Sequence, residues 1–249
     1  EIQSAYRIVI SKRENDVAEG TYMYDTDWVE SSQNTAVQYD LSQVLADNEL
    51  YYWQVQIKNA EGTESSLSEA QAFTTSVGNA WANKNAVWGS NGQKTVMLRS
   101  EVNRPQNVEK AVIAVTASPS SKTRQYIYNL YVNGEEIGVG PARQNDSILY
   151  YSTYDITDIL QEGNNVIGLV NYSEENAGVL CQLTYYYADG SQQIVNNSGR
   201  DSVAWKAFNA DSVYIGSDTA SIGTSYYTAK KDNIDMTRYP DGWKSTGYS

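Results

Sequence analysis

The chain lacks histidine altogether and has one cysteine among its 249 residues. Without histidine, this chain cannot itself complete a Ser-His-Asp triad, a Cys-His pair, an HExxH zinc site or a haem site with an axial histidine. The single Cys181 can form neither an internal disulfide nor a cysteine-rich zinc site. It lies in the apolar run Val-Leu-Cys-Gln-Leu, so we expect a small buried residue rather than a nucleophile.

Positive charge is also scarce in this sequence. Lysine and arginine number 18 against 30 aspartate and glutamate, which gives a formal charge of −12 and a pI near 4.4. Such a chain is repelled by DNA phosphates and by anionic membrane surfaces, and no apolar run approaches the ~20 residues that cross a bilayer. We therefore expect no nucleic acid and no membrane among its partners. The acidic, Asn/Ser/Thr/Tyr-rich composition favours an extracellular or cell-surface location in a bacterium, with a cytoplasmic location as the alternative.

What the sequence does contain is tyrosine, 21 residues of it against 2 phenylalanines. Apolar and aromatic residues recur with period two, as in residues 126–132, and no long stretch repeats them at helical spacing. Asn133-Gly134 and Asp189-Gly190 follow two such stretches and indicate hairpin turns. Strands with turn signals every 8–12 residues or so are typical of sandwiches. The predicted fold class is therefore all-β.

The pattern divides the chain into three parts. Breaks after Phe73 predict a first sandwich over residues 1–75, a second over 76–230 and a tail over 231–249. The only convincing helical signal runs from Asp155 to Gly163, and its length suits a single connecting turn with an Asp cap and a left-handed glycine.

Tyr51 is predicted to be the tyrosine of a tyrosine corner in the first part. A leucine, Leu45, precedes it by six positions, and an alternating strand with a glycine turn follows. In such corners the Tyr hydroxyl bonds to upstream backbone while the ring packs below. The alternation also predicts that Tyr51 and Trp53 share one inward face; the alternative is a sugar-stacking cluster with Tyr52.

Further short motifs follow in a particular order along the chain. They are Tyr128-Asn-Leu-Tyr-Val-Asn-Gly134, Tyr151-Ser-Thr-Tyr-Asp-Ile-Thr157, Gly163-Asn-Asn-Val-Ile-Gly168, Tyr187-Ala-Asp-Gly-Ser191 and Asp241-Gly-Trp243. This ordered set resembles the N-terminal, non-catalytic region of bacterial α-L-rhamnosidases. Residues 168–178 and 141–147 depart from that family's usual Trp-containing loops.

The resemblance implies a fibronectin type III-like β-sandwich, with its first strand missing, followed by a jelly-roll β-sandwich. It also implies an absent downstream (α/α) barrel that carries the catalytic carboxylates, so no residue of this chain is expected to be catalytic. The implied role is to support that barrel, as a partner within the same polypeptide, and to bind rhamnose-containing carbohydrate. The alternative is a bacterial cell-surface adhesive or spacer protein built of β-sandwich modules.

Candidate carbohydrate-binding residues come from the jelly-roll part. They are Asn145, Asp146, Tyr150, Tyr151, Asn171 and Tyr172. Tyrosine rings carry a polar tip, and Asn and Asp oxygens can hold Ca²⁺, which assists rhamnose binding in some jelly-roll modules of this family. No cofactor is required; Ca²⁺ is the one cofactor that the resemblance suggests. The alternative is that the Asn and Asp residues make Asx turns and the tyrosines pack between the sheets.

Four tryptophans also invite a stacking role. Trp88 and Trp205 lie in alternating stretches and are predicted to be core residues. Trp81 lies near the boundary between the two parts. Trp243 follows Asp-Gly in a turn-rich tail, and we expect it to pack against the absent downstream domain.

Overall fold

The computed structural model describes residues 2–119, 126–142, 148–174, 177–197, 205–215 and 233–248. Over these residues the fold is all-β, as predicted, with fourteen strands in three antiparallel sheets and one five-residue helix. The chain separates into two compact units: Glu1–Ala80 with Tyr186–Gln192, and Trp81–Tyr185 with Gln193–Ser249. No helix in the described ranges is both long enough and apolar enough to span a bilayer.

The first unit contains a five-stranded sheet. Its elements are β1 (Gln3–Ser11), α1 (Glu14–Ala18), β2 (Tyr24–Asp25), β3 (Val29–Glu30), β4 (Leu50–Asn59) and β5 (Gln71–Thr74). The order across the sheet is β2-β1-β4-β5, and β3 also pairs with β1. The long pairing of β1 with β4 forms the centre of the unit.

The tyrosine corner is confirmed. The Ala46 backbone N–H donates a 2.9 Å hydrogen bond to the hydroxyl of Tyr51, which is only 3% exposed. The Phe73 ring lies 5.8 Å from the Tyr51 ring between centroids, and the Lys12 ammonium lies 4.7 Å from its centroid. This cover from a neighbouring strand and a lysine, rather than an inward face of β4, explains why Tyr51 is buried.

The prediction that Trp53 faces inward beside Tyr51 is wrong. Trp53 is 39% exposed, because the cover over Tyr51 does not extend two residues further along the strand. The consistently buried side of β4 is the opposite one. Its buried residues are Leu50, Tyr52 and Gln54.

The second unit is a sandwich of two sheets. Its strands are β6 (Thr95–Arg104), β7 (Val108–Pro119), β8 (Tyr126–Val132), β9 (Glu135–Gly140), β10 (Ser152–Asp155), β11 (Gly163–Ser173), β12 (Ala177–Tyr187), β13 (Gln192–Asn197) and β14 (Trp205–Asn209), except that Tyr186–Gln192, at the end of β12 and the start of β13, are counted in the first unit. One sheet has the order β10-β7-β12-β13, and the other has the order β14-β6-β11-β8-β9. Strand β11 is buried from its third residue onward and forms the middle of the five-stranded sheet.

The turns follow the chemistry of their residues. Asn133 and Gly134 have φ values of 51° and 87°, as a two-residue β8–β9 hairpin of type I′ requires. The predicted turn between β10 and β11 is also present: the Asp155 carboxylate accepts the Thr157 backbone N–H at 3.1 Å, and Gly163 has a φ of 83°. Cys181 is fully buried, and burial raises the pKa of its thiol.

Residues 233–248, here called the C-terminal segment, fold onto the five-stranded sheet of the second unit. Trp243 is 3% exposed, so the prediction that it packs against an absent downstream domain is wrong. Its indole N–H donates to the Tyr239 hydroxyl at 2.9 Å, and its ring lies so close to Gly168 that a Cβ there would come within 2.9 Å of it. The glycine in β11 therefore provides the space for the indole. The apolar cluster beneath the segment comprises Met97, Val170, Ala210, Val213, Tyr214 and Trp243.

Candidate functional site

An exposed apolar and aromatic segment precedes the edge strand β10. Residues 148–150 are all exposed, and Tyr150 is 41% exposed. The segment is fixed to the neighbouring strand because the Thr116 hydroxyl donates a 2.6 Å hydrogen bond to the Tyr150 carbonyl oxygen. From Ser152 onward the chain pairs with β7 in regular register. The backbone of the segment is therefore held in place while its side chains face solvent.

Tyr151 and Trp81 meet beside this segment. Their rings are nearly perpendicular, at 86°, with centroids 5.5 Å apart, and both side chains are partly buried. The hydroxyl of Tyr150 makes no hydrogen bond within the described part of the chain. An exposed tyrosine ring beside a fixed aromatic pair can offer both a stacking face and a polar contact. We call Trp81 and residues 148–151 the aromatic edge.

Asn171 and Tyr172 lie elsewhere, in the buried strand β11. The Asn171 amide is 0% exposed: its oxygen accepts the Tyr126 hydroxyl at 2.6 Å, and its nitrogen donates to the Val96 carbonyl at 3.1 Å. The Tyr172 hydroxyl donates to the Glu174 carboxylate. These contacts make both residues part of the sandwich core. This agrees with the alternative to sugar binding, in which the candidate residues have structural roles.

Two of the six sequence-derived candidates, Asn145 and Asp146, lie outside the described residues. Of the remaining four, only Tyr150 and Tyr151 lie together at the surface. Trp81, which was not among the six candidates, joins them. A tryptophan among short polar residues in a connecting loop was the available signal, but sequence alone did not show which ring it meets.

The acidic groups are engaged in structural contacts. The Arg7 guanidinium hydrogen-bonds both Asp25 oxygens and lowers the pKa of that carboxyl. Burial raises the pKa of Asp155, but hydrogen bonds from Lys110 and Thr157 outweigh it, so this pKa also lies below its usual value.

The other carboxyl groups with a displaced pKa follow the same direction. Within the described ranges these are Asp16, Asp40, Asp189 and Asp235, and the pKa of each is lowered by hydrogen bonds. A general acid in glycoside hydrolysis instead needs a raised pKa. In the same ranges, no three Asp, Glu, His or Cys side chains converge as a metal site would require.

Comparison with known proteins gives the family context. The family model described as "Rha78A-like, N-terminal immunoglobulin domain" matches residues 1–79. Two α-L-rhamnosidases of Formosa agariphila are similar: one is 28% identical in an alignment 193 positions long that covers 68% of this chain, and the other is 25% identical in an alignment 237 positions long that covers 82%. The first unit is homologous to the N-terminal immunoglobulin-like region of α-L-rhamnosidases. The resemblance expected from the sequence motifs is thereby confirmed.

Solved α-L-rhamnosidases share the fold. The enzyme from Dictyoglumus thermophilum aligns with a TM-score of 0.62 at 19% identity, over 84% of this chain and 26% of its own. The enzyme from Aspergillus terreus aligns with a TM-score of 0.60 at 18% identity, over 100% of this chain and 29% of its own. The chain spans only 20% and 24% of the length of the two Formosa rhamnosidases that it matches.

Proposed function

We propose that this chain forms non-catalytic N-terminal modules of an α-L-rhamnosidase, which support a catalytic barrel in the same polypeptide. The observation that carries the proposal is the match of residues 1–79 to an N-terminal immunoglobulin domain model, together with the 20% and 24% of the two Formosa rhamnosidases that the chain spans. Retaining and inverting glycosidases need two carboxyl groups on either side of one bond, one of them with a raised pKa. The displaced pKa values among the described carboxyl groups are all lowered, by arginine, lysine, hydroxyl or backbone partners.

Acidic substitutions in the longer enzyme test this role. Glu135 and Glu136 are adjacent exposed acids on β9. In the full-length protein encoded by the gene, glutamine at both positions should leave kcat on an aryl α-L-rhamnoside within about twofold, since a general acid or base typically contributes at least about a hundredfold. A hundredfold loss in kcat, with the protein still folded, would contradict the proposal.

We propose further that the second unit binds rhamnose-containing carbohydrate at the aromatic edge. Support comes from the exposed Tyr150 ring, whose hydroxyl bonds to none of the described residues, and from the Trp81–Tyr151 pair beside it. L-Rhamnose presents an apolar face and a methyl group, which suit an aromatic ring, and hydroxyls, which suit a phenol. The hydrogen bond from the Thr116 hydroxyl to the Tyr150 carbonyl oxygen fixes the backbone at this position.

Calorimetric titration with methyl α-L-rhamnoside tests the aromatic edge. Replacing Tyr150 by Ala should abolish measurable binding. Replacing it by Phe should weaken binding but keep the share of the affinity that comes from stacking on the ring. Tyr22→Ala, in the first unit, is the matched control and should have no effect. Titrations in CaCl₂ and in EDTA determine whether a cation takes part. Equal binding by the Tyr150→Ala variant and the unmodified chain would remove the aromatic edge as the site.

A further inference from the structure

A second surface of the second unit carries aromatic rings and an exposed lysine. On β14, Lys206 and Phe208 point to the same side, because side chains two apart share a face. In register they lie opposite Arg99 and Met97 of β6. This side is the outer face of the five-stranded sheet, since Met97 belongs to the apolar cluster under the C-terminal segment.

The C-terminal segment covers the middle of this face and leaves the β14 edge open. A shallow groove of about 100 Å³ remains between them. Its walls are mostly apolar, and the exposed rings Phe208 and Tyr248 are 43% and 37% exposed. The lining residues are Met97, Arg99, Lys206, Ala207, Phe208, Pro240, Trp243 and Tyr248.

The two cations of the groove differ in their partners. Arg99 is buried and already occupied: its guanidinium donates to the Trp243 and Ser245 carbonyls at 2.8 and 3.0 Å and pairs with Glu101 at 2.6 Å. Lys206 is exposed, and no carboxylate among the described residues pairs with it. In a chain of formal charge −12, the groove thus offers an ammonium that no described carboxylate pairs with, beside an exposed aromatic ring.

We propose that this groove binds a uronic acid unit of an acidic glycan. The apolar face of the pyranose would lie on Phe208, the carboxylate on the Lys206 ammonium, and a ring hydroxyl on the Tyr248 phenol. Charge complementarity selects an anion, and the open rings select a ligand with a flat apolar face. This inference rests on the proposed carbohydrate-binding role, and it names an acidic sugar and a site separate in sequence from the aromatic edge.

Titration with sodium D-galacturonate, followed by NMR of the intact chain, tests the groove. The neutral methyl ester of galacturonate is the matched ligand, and Lys84→Gln, another exposed lysine of the second unit, is the matched protein control. Lys206→Gln should weaken galacturonate binding by about fivefold, the upper range for an exposed ion pair, without weakening the ester. Phe208→Ala should weaken both ligands. Added salt should weaken the acid alone, because it screens the exposed pair.

Several outcomes would overturn the proposal. These are no binding of galacturonate, equal binding of the acid and the ester, or an equal effect of Lys84→Gln and Lys206→Gln. If a poly-glutamate peptide shifts the NMR signals of the groove residues and galacturonate does not, the groove binds acidic protein instead. If galacturonate fails while rhamnoside binding through Tyr150 persists, only the groove is lost. If both ligands fail, the carbohydrate role of the unit is lost as well.

Discussion

At the scale of single residues, this chain has tyrosines where other cores have phenylalanine, and two of the buried ones, Tyr126 and Tyr128, have hydroxyl partners inside the second unit. The Tyr126 hydroxyl donates to Asn171, and the Tyr128 and Tyr154 hydroxyls lie 3.3 Å apart. Burial raises the pKa of Tyr126, so its hydroxyl stays a donor. A buried polar group without a partner is costly, so such pairs hold the rings in defined positions.

The tyrosine corner gives the first prediction. Tyr51→Phe removes the hydroxyl that accepts the Ala46 N–H and should lower the free energy of unfolding by about 1 kcal/mol, the usual value of such a bond. Urea unfolding monitored by tryptophan fluorescence measures the loss. Tyr24→Phe is the control, because no hydrogen bond to the Tyr24 hydroxyl occurs within the described residues. Equal losses in the two variants would contradict the corner.

The Arg7–Asp25 pair predicts a pH dependence. The folded-state pKa of Asp25 is depressed, chiefly by the hydrogen bond from Arg7, so the pair stabilises the fold above the unfolded value of about 3.9. That stability is lost as the pH falls through the lower folded pKa.

Asp25→Asn tests this dependence. The variant should lose stability at pH 6 but lie closer to the unmodified chain at the acidic end of its folded range. Glu61→Gln, an exposed acid of the same unit, should show no such convergence. Parallel stability curves for Asp25→Asn and the unmodified chain would contradict the assignment.

At the scale of elements, one glycine in a central strand determines how the C-terminal segment docks. Gly168 lies opposite Arg99 in β6 and Tyr131 in β8, and the Trp243 ring occupies the space above it. The buried Arg99 then holds the segment by donating to two of its carbonyls. The tail is thus held by both packing and hydrogen bonds.

Gly168→Ala should therefore displace the segment. A Cβ at this position would lie 2.9 Å from the indole, and overpacking of this kind typically costs about 1–3 kcal/mol. Limited proteolysis within residues 233–248 should accelerate. In a Trp243→Phe background, Gly168→Ala should cost less free energy of unfolding than in the unmodified chain, because the smaller ring leaves room for the added methyl group. Purely additive losses would show that the two residues do not interact.

Local elements of the fold could be predicted from the sequence, but not which distant segments pack over a given side chain. The residue types at Asn133-Gly134 and Gly163 predict positive φ angles, and the spacing of Tyr51 from Leu45 predicts the tyrosine corner. The exposure of Trp53 and the burial of Trp243 depend on which distant segment covers them. Period-two patterning carries no information about that cover.

The same distinction applies to the candidate site. Tyr150 and Asn171 both looked available in the sequence, but Asn171 completes hydrogen bonds inside β11 while Tyr150 faces solvent. Tyrosine and asparagine side chains occur both in cores and in binding sites. Only the strand register distinguishes the two uses.

At the scale of the whole molecule, acidic charge serves structural pairing and solubility. Lys110 binds Asp155, Lys94 binds Glu174 at 2.7 Å, and hydroxyl or backbone donors hold other carboxylates. Exposed pairs of this kind contribute little each, and net charge keeps such modules soluble. The homology of the first unit with the N-terminal immunoglobulin-like region of α-L-rhamnosidases gives the family context of these modules.

The most direct test of this account is turnover by the isolated 249-residue chain. Incubated at high concentration with an aryl α-L-rhamnoside, the chain should release no phenol above the uncatalysed rate, across acidic and neutral pH. Release that saturates with substrate, stays with the protein through purification and disappears on heat denaturation would contradict the central claim, because it would place a working pair of carboxyl groups within these residues.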